Sequence, residues 1–220
     1  MRPTVKICGL MRVEDVRMCV RHSVDIVGFV VEYPHPVPWN LDVATAQRLL
    51  TAVAAPAKTC VVTGGPPEKI YRLALATRPD YLQLHCRETL ADTAYLARAF
   101  APRGVKIIKT LFPDTPDLEQ TAAAFCAAGA SALLFDPRTP DNAVHGGAAD
   151  LAVFARLQRA VSCLVILAGG ITPANVADMV RQARPRIIDL MTGVEPRPGM
   201  KDEAKVAALF RALREMEPYG

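Results

Sequence analysis

The chain has 220 residues, 51% of them hydrophobic and 22% charged, with a net charge of +4. That composition supports one large core, and the scattered lysines and arginines attract small anions without making the basic face of a nucleic-acid binder. A run of about 18 apolar residues, the minimum for a membrane-spanning helix, is absent, and no basic-then-apolar leader opens the chain, so a cytoplasmic protein is expected.

Short apolar runs alternate with amphipathic stretches along the whole length. TVKICG (4–9) precedes a helical pattern over 13–22, DIVGFVV (25–31) one over 41–54, AKTCVV (57–62) one over 66–77, and DYLQLH (80–85) one over 89–100. VKIIKT (105–110) precedes 116–128, ASALLFD (130–136) precedes 150–161, CLVILAGG (163–170) precedes 172–183, and RIIDLMTG (186–193) precedes 202–216. Nearly continuous apolar runs of this kind mark strands of a parallel sheet covered by helices. Thr172 and Pro173 suit an N-cap and a first helical position; Gly104 and Gly129 suit helix ends. Eight strand–helix units predict an α/β fold, a single-domain (β/α)8 TIM barrel over residues 1–220, with an open doubly wound sheet as the runner-up.

Barrels of this class gather their active sites at the C-terminal ends of the strands. Those ends carry Lys6 and Cys8, then Gln83, His85 and Cys86, then Lys109, Asp136, Gly169 and Gly170, and finally Asp189, Thr192 and Gly193. Glycines after the seventh and eighth strands let backbone N–H groups approach a phosphate, with a helix N-terminus adding a favourable dipole. Cys8 and Asp136 end different strands and suit a proton-transfer pair across the barrel mouth. Lys6 lies on the same side of its strand as Cys8 and would favour the thiolate. His85 alone reads equally as acid, base or hydrogen-bonding core residue. Gly146 and Gly147 suggest a loop able to cover a ligand. The six cysteines, at 8, 19, 60, 86, 126 and 163, form no CxxC pair. They are expected as free thiols rather than disulfides or a zinc site, with Cys19, Cys60, Cys126 and Cys163 as small buried hydrophobes.

KICGL (6–10), QLH (83–85), FDP (135–137), LAGGITPANV (167–176) and DLMTGVEPRPGMKD (189–202) occur in this order and resemble the phosphoribosylanthranilate isomerase family. The resemblance implies a barrel with no metal and no organic cofactor, acting on a small phosphorylated aminosugar in tryptophan biosynthesis. The implied reaction is the Amadori rearrangement of N-(5-phosphoribosyl)anthranilate to 1-(2-carboxyphenylamino)-1-deoxyribulose 5-phosphate. Cys8 falls on the family's base and Asp136 on its acid. Gly169, Gly170, Thr192 and Gly193 fall on its phosphate cradle, while Lys6, His85, Asp189 and Trp39 are expected as further substrate contacts. No nucleic acid or membrane partner is implied, and the chain is expected as a monomer or homodimer.

Three places depart from the family pattern. Where the family usually has SPR after the second strand, with an arginine for the anthranilate carboxylate, this chain reads EYPHPVPWN (32–40). Where the family has GGTG it reads GGAAD (146–150), and Met191 and Thr192 replace paired serines. His35, the Trp39 indole N–H and Asn40 are the polar substitutes that the stiff, proline-rich segment offers. The alternative to the isomerase is a related barrel that keeps the phosphate site but acts on another phosphorylated aminosugar, or only binds its ligand.

Overall fold

The computed structural model describes residues 2–140 and 147–216. Eight parallel strands alternate with eight helices: β1 (Thr4–Ile7), α1 (Val13–Arg21), β2 (Ile26–Val31), α2 (Val43–Leu50), β3 (Lys58–Thr63), α3 (Pro67–Thr77), β4 (Tyr81–Leu84) and α4 (Leu90–Phe100). Then follow β5 (Lys106–Leu111), α5 (Leu118–Ala127), β6 (Ala132–Phe135), α6 (Leu151–Ala160), β7 (Leu164–Ala168), α7 (Val176–Ala183), β8 (Ile187–Leu190) and α8 (Glu203–Glu215). Consecutive strands pair in order, and β1 closes the sheet by pairing with both β2 and β8, Lys6 lying opposite Ile26 and Asp189. A two-residue strand, Asn40–Leu41, pairs with the end of β2. The result is the closed (β/α)8 barrel expected. No helix among the described residues is long and apolar enough to cross a membrane.

Alternation along each strand divides the side chains into two layers. Outward residues such as Val5, Ile7, Phe29, Leu133 and Leu167 pack beneath the helices, together with Leu209 of α8. Inward residues such as Cys8, Cys60, Val62, Ile108, Leu134 and Ile166 fill the barrel below its mouth. Helix starts are held by side-chain caps: Asp42 on α2, a reciprocal Thr89–Asp92 box on α4, Asp150 on α6 and Asp202 on α8. Gly104 (φ 72°) and Gly129 (φ 104°) end helical turns in the left-handed region, as expected.

Three expectations change. Lys109 does not reach the barrel mouth. It alternates with inward Ile108 and Thr110, so it points outward, where its ammonium pairs with Glu88 (2.8 Å) and donates to the Cys86 carbonyl (2.6 Å). The helix read from Thr172 begins instead at Val176, for reasons given below. Cys126 and Cys163 are not independent thiols. The first ends α5 and the second precedes β7, their Cα atoms lie 5.8 Å apart, and they form a disulfide. Spacing in sequence hides this proximity, because the two are separated by 37 positions and the whole β6–α6 unit lies between them. Cys8, Cys19, Cys60 and Cys86 are buried free thiols.

Candidate active site

A cavity of about 340 Å³ opens among the residues at the C-terminal ends of the strands. Cys8, Trp39, His85, Asp136, Gly169, Gly170, Asp189, Thr192 and Gly193 all line it. Lys6 does not and lies fully buried beneath, and Cys86, Lys109, His35 and Asn40 are likewise not among the lining residues. Gly147 also lines the cavity, packed against Pro137, while Gly146 lies outside the described residues.

Cys8 follows directly on β1 and leans across the neighbouring strand. A Cβ at Gly28 of β2 would lie 2.8 Å from its Sγ, so only glycine leaves the thiol its place. Burial pushes the Cys8 thiol above its ordinary pKa; Lys6 pulls it down and Asp189 pushes it up again. Lys6 therefore favours the thiolate, as its spacing suggests, but burial outweighs it. Lys6 itself donates to Asp189 Oδ2 at 2.7 Å. Burial works against its charge, yet Asp189, Cys8 and Cys60 together more than offset this, and its pKa is raised. The other carboxylate oxygen, Asp189 Oδ1, is buried with no hydrogen-bond partner among the described residues.

Asp136 is the first residue past β6 and is 3% exposed. Arg138 grips it with a two-pronged contact: Nε donates to Oδ1 and Nη2 to Oδ2, both at 2.9 Å, and the Arg138 backbone N–H donates to Oδ1 at 3.0 Å. His85 Nε2 stands 3.3 Å from Oδ2. Burial works to raise the Asp136 pKa, but His85 and Arg138 outweigh it and hold the carboxyl well below the usual range. His85 is in turn oriented from behind. Gln83 Nε2 lies 2.9 Å and Thr110 Oγ1 3.0 Å from its Nδ1. With the Gln83 amide donating to Nδ1, the imidazole hydrogen sits on Nε2 and points at Asp136.

Beside the Asp136 loop, where Gly169 packs against Pro137, backbone replaces side chains. Gly169 (φ 102°) and Gly170 (φ 61°) turn sharply after β7, and the Ala149 N–H donates to the Gly169 carbonyl at 3.1 Å. A Cβ at Gly193 would lie 1.8 Å from the Ile171 carbonyl oxygen, so the loops after β7 and β8 touch only because residue 193 is glycine. The Asn175 side chain closes this corner. It accepts from the Thr172 N–H (2.7 Å) and donates to the Gly170 carbonyl (2.9 Å). Residues 170–175 are thereby held as a turn, which is why α7 starts late.

The segment after β2 lines the cavity with Tyr33, Val37 and Trp39, while its indole N–H and Asn40 amide are fastened within the protein. Trp39 is 2% exposed, and its indole N–H donates to Glu195 at 3.2 and 3.4 Å. Asn40 accepts from the Tyr33 N–H (2.8 Å) and donates to the Tyr33 carbonyl (2.9 Å). The Trp39 indole N–H is buried and spent on Glu195, and the exposed Asn40 side chain is spent on the Tyr33 backbone, although Trp39 still supplies apolar wall. Glu195 also accepts from Lys201 Nζ (2.5 Å) and the Gly199 N–H (3.2 Å), and the Lys201 N–H donates to Asp15 (3.2 Å). Glu195, Gly199 and Lys201 of the GVEPRPGMKD stretch thus form a buried bracket behind the Trp39 wall, while Pro196 to Pro198 are exposed. Arg138 escaped the sequence reading because it stands two residues beyond the strand end. Its signal was the FDPR tetrapeptide itself, with a cation within reach of the singled-out aspartate.

No group of three or more His, Cys, Asp and Glu side chains among the described residues is arranged to hold a metal ion. A family model described as N-(5'-phosphoribosyl)anthranilate isomerase matches residues 5–212. The chain belongs to the phosphoribosylanthranilate isomerase family. The N-(5'-phosphoribosyl)anthranilate isomerase of Bordetella pertussis is 33% identical, with 99% of this chain and 98% of that protein covered. The crystal structure of the Thermus thermophilus phosphoribosylanthranilate isomerase superposes with a TM-score of 0.82 at 30% identity, covering 99% of this chain and all of that one. A phosphoribosylanthranilate isomerase solved with reduced 1-(o-carboxyphenylamino)-1-deoxyribulose 5-phosphate shares the fold, with a TM-score of 0.79 at 23% identity over 96% of this chain and 98% of that one. Within this phosphoribosylanthranilate isomerase family chain, the cation nearest the candidate acid is Arg138, from the loop after β6.

Proposed function

We propose that this chain isomerises N-(5-phosphoribosyl)anthranilate to 1-(2-carboxyphenylamino)-1-deoxyribulose 5-phosphate. The observation that carries this reading is that Cys8 and Asp136 line one cavity whose rim is the Gly169–Gly170 and Gly193 corner. Backbone N–H groups at that corner would hold the phosphate and fix the ribose between the two proton-transfer groups. Asp136 gives its proton to the ribose ring oxygen, the ring opens, and an iminium ion forms at C1′. The positive nitrogen makes the C2′ hydrogen acidic, and the Cys8 thiolate removes it to give an enolamine that tautomerises to the ketone. Asp189 Oδ1 supplies an acceptor at the floor for a substrate hydroxyl.

The Cys8 thiol is pushed up and the Asp136 carboxyl held down, so the pair carries one proton, on sulfur. The reaction needs one proton, on the carboxyl. The working state has the right proton count with the proton on the other group, a common property of coupled acid–base pairs. Purified protein supplied with phosphoribosylanthranilate is expected to release the aminoketose in an amount matching the substrate consumed. Substrate loss without that product would refute the isomerase reading.

A further inference from the structure

The substrate brings a carboxylate on its aromatic ring as well as a phosphate. Holding a carboxylate away from water takes a cation or several N–H donors. The 32–40 segment has no lysine or arginine, and its indole N–H and Asn40 amide are engaged within the fold. Among the described residues lining the cavity, Arg138 carries the one guanidinium or ammonium group. Its side chain keeps 20% of its exposure, whereas the Asp136 side chain keeps 4%. The guanidinium is thus the more exposed member of the pair.

The same guanidinium stands against the chemistry of the free site. Held by Nε and Nη2 of Arg138, Asp136 is a carboxylate with no proton to give. The groups facing it are His85 from the end of β4 and Arg138 from its own loop, with Cys8 and Asp189 near enough to act on Arg138. If the fork of Arg138 is taken over by another carboxylate, Asp136 keeps its burial and its contact with His85 but loses the two-pronged guanidinium contact, one of the two that hold its carboxyl low. With less to oppose it, burial shifts Asp136 toward the neutral acid. We propose that Arg138 binds the carboxylate of the substrate's aromatic amine and, by exchanging Asp136 for it, frees Asp136 to take up the proton used in ring opening; this rests on the isomerase reading above. The exchange replaces one bidentate guanidinium–carboxylate contact by another of the same geometry, so it keeps the charge-assisted hydrogen bonds throughout. One side chain then both recognises the aromatic acid and arms the catalytic acid.

The test compares two substrates prepared from ribose 5-phosphate, one with anthranilate and one with aniline, which lacks the carboxylate. For wild type the anthranilate compound is expected to be far the better substrate. Arg138→Gln should raise KM for it about tenfold or more, the usual worth of a lost charge-assisted fork. On the aniline compound the same variant should turn over faster than wild type, because Asp136 is no longer held as a carboxylate. Arg138→Lys, which keeps the charge without the fork, should fall between wild type and Arg138→Gln on the anthranilate compound, and it covers a glutamine variant that fails to fold. Equal losses on both substrates, as a phosphate contact or a merely structural arginine would give, overturn the proposal. So does an unchanged KM for the anthranilate compound. Wild-type protein inactive on the anthranilate compound refutes the isomerase reading itself, a result distinct from either.

Discussion

The two ends of the cavity are built by different means. At the phosphate corner, Gly169, Gly170 and Gly193 bring backbone within reach of a ligand, and a single added methyl at 193 would meet the Ile171 carbonyl. Elsewhere around the cavity, Tyr33, Val37 and Trp39 form a wall pinned from behind by Glu195 and Lys201. Backbone N–H groups recognise any phosphate, and they need small residues at fixed places. A side chain reading a carboxylate is free to come from any loop that reaches the mouth. That difference explains how a chain can lack the arginine after β2 and still place a guanidinium in the cavity, on the loop after β6.

The largest effects are expected where both ends converge. Cys8→Ser and Asp136→Asn should each lower kcat by about 10²–10⁴, the worth of one positioned proton-transfer group. Variants that fold normally and keep more than about a third of wild-type turnover would remove these residues from the chemistry.

The wall should break next. Glu195→Gln leaves the Lys201 ammonium buried opposite a neutral amide, a change that costs about 3–5 kcal/mol when a buried pair loses one partner. Denaturant unfolding, followed through the fluorescence of the single tryptophan, measures this directly. A midpoint shift worth less than about 1 kcal/mol would show that the bracket is not a tightly buried pair.

At the phosphate corner, Gly193→Ala forces the Ile171 carbonyl away and spreads the two loops. Millimolar phosphate at constant ionic strength should raise the melting temperature of wild type, since it binds the native state alone, and should protect Gly193→Ala less. Equal protection would place the anion elsewhere.

The gentlest test is the pH profile. With one proton shared by a low-pKa Asp136 and a high-pKa Cys8, kcat/KM should stay level across neutral pH and fall only where pH passes beyond the ordinary thiol value of about 8.5 and the raised thiol ionises. Stability follows the same sign. The folded thiol's pKa is raised, so its contribution is complete below the unfolded value near about 8.5 and is lost as pH rises through the folded value. A rate climbing steadily between about pH 7 and 9 would instead mark Cys8 as an independent thiolate base.

The barrel was legible because eight apolar runs and eight amphipathic stretches alternate without interruption, and the inward Cys8, His85 and Asp136 stand at strand ends where this fold keeps its chemistry. Lys109 stood at a strand end too, but its neighbours Ile108 and Thr110 take the inward positions, so counting alternation mattered more than counting position. Pro173 suggested a helix start, yet the Asn175 side chain closes a turn there first. Trp39 looked available because nothing in the 32–40 segment announces Glu195, 156 residues away. Long-range pairs such as this one, and the Cys126–Cys163 disulfide, are set by how distant loops meet, which local pattern does not encode.

A crystal structure of this chain with reduced 1-(2-carboxyphenylamino)-1-deoxyribulose 5-phosphate tests both ends of the cavity at once. The expected complex has the phosphate on the backbone N–H groups around Gly170 and Gly193, the ring carboxylate on the Arg138 fork, and Asp136 released toward His85. A carboxylate seated against residues 33–40, with Arg138 still gripping Asp136, would contradict it.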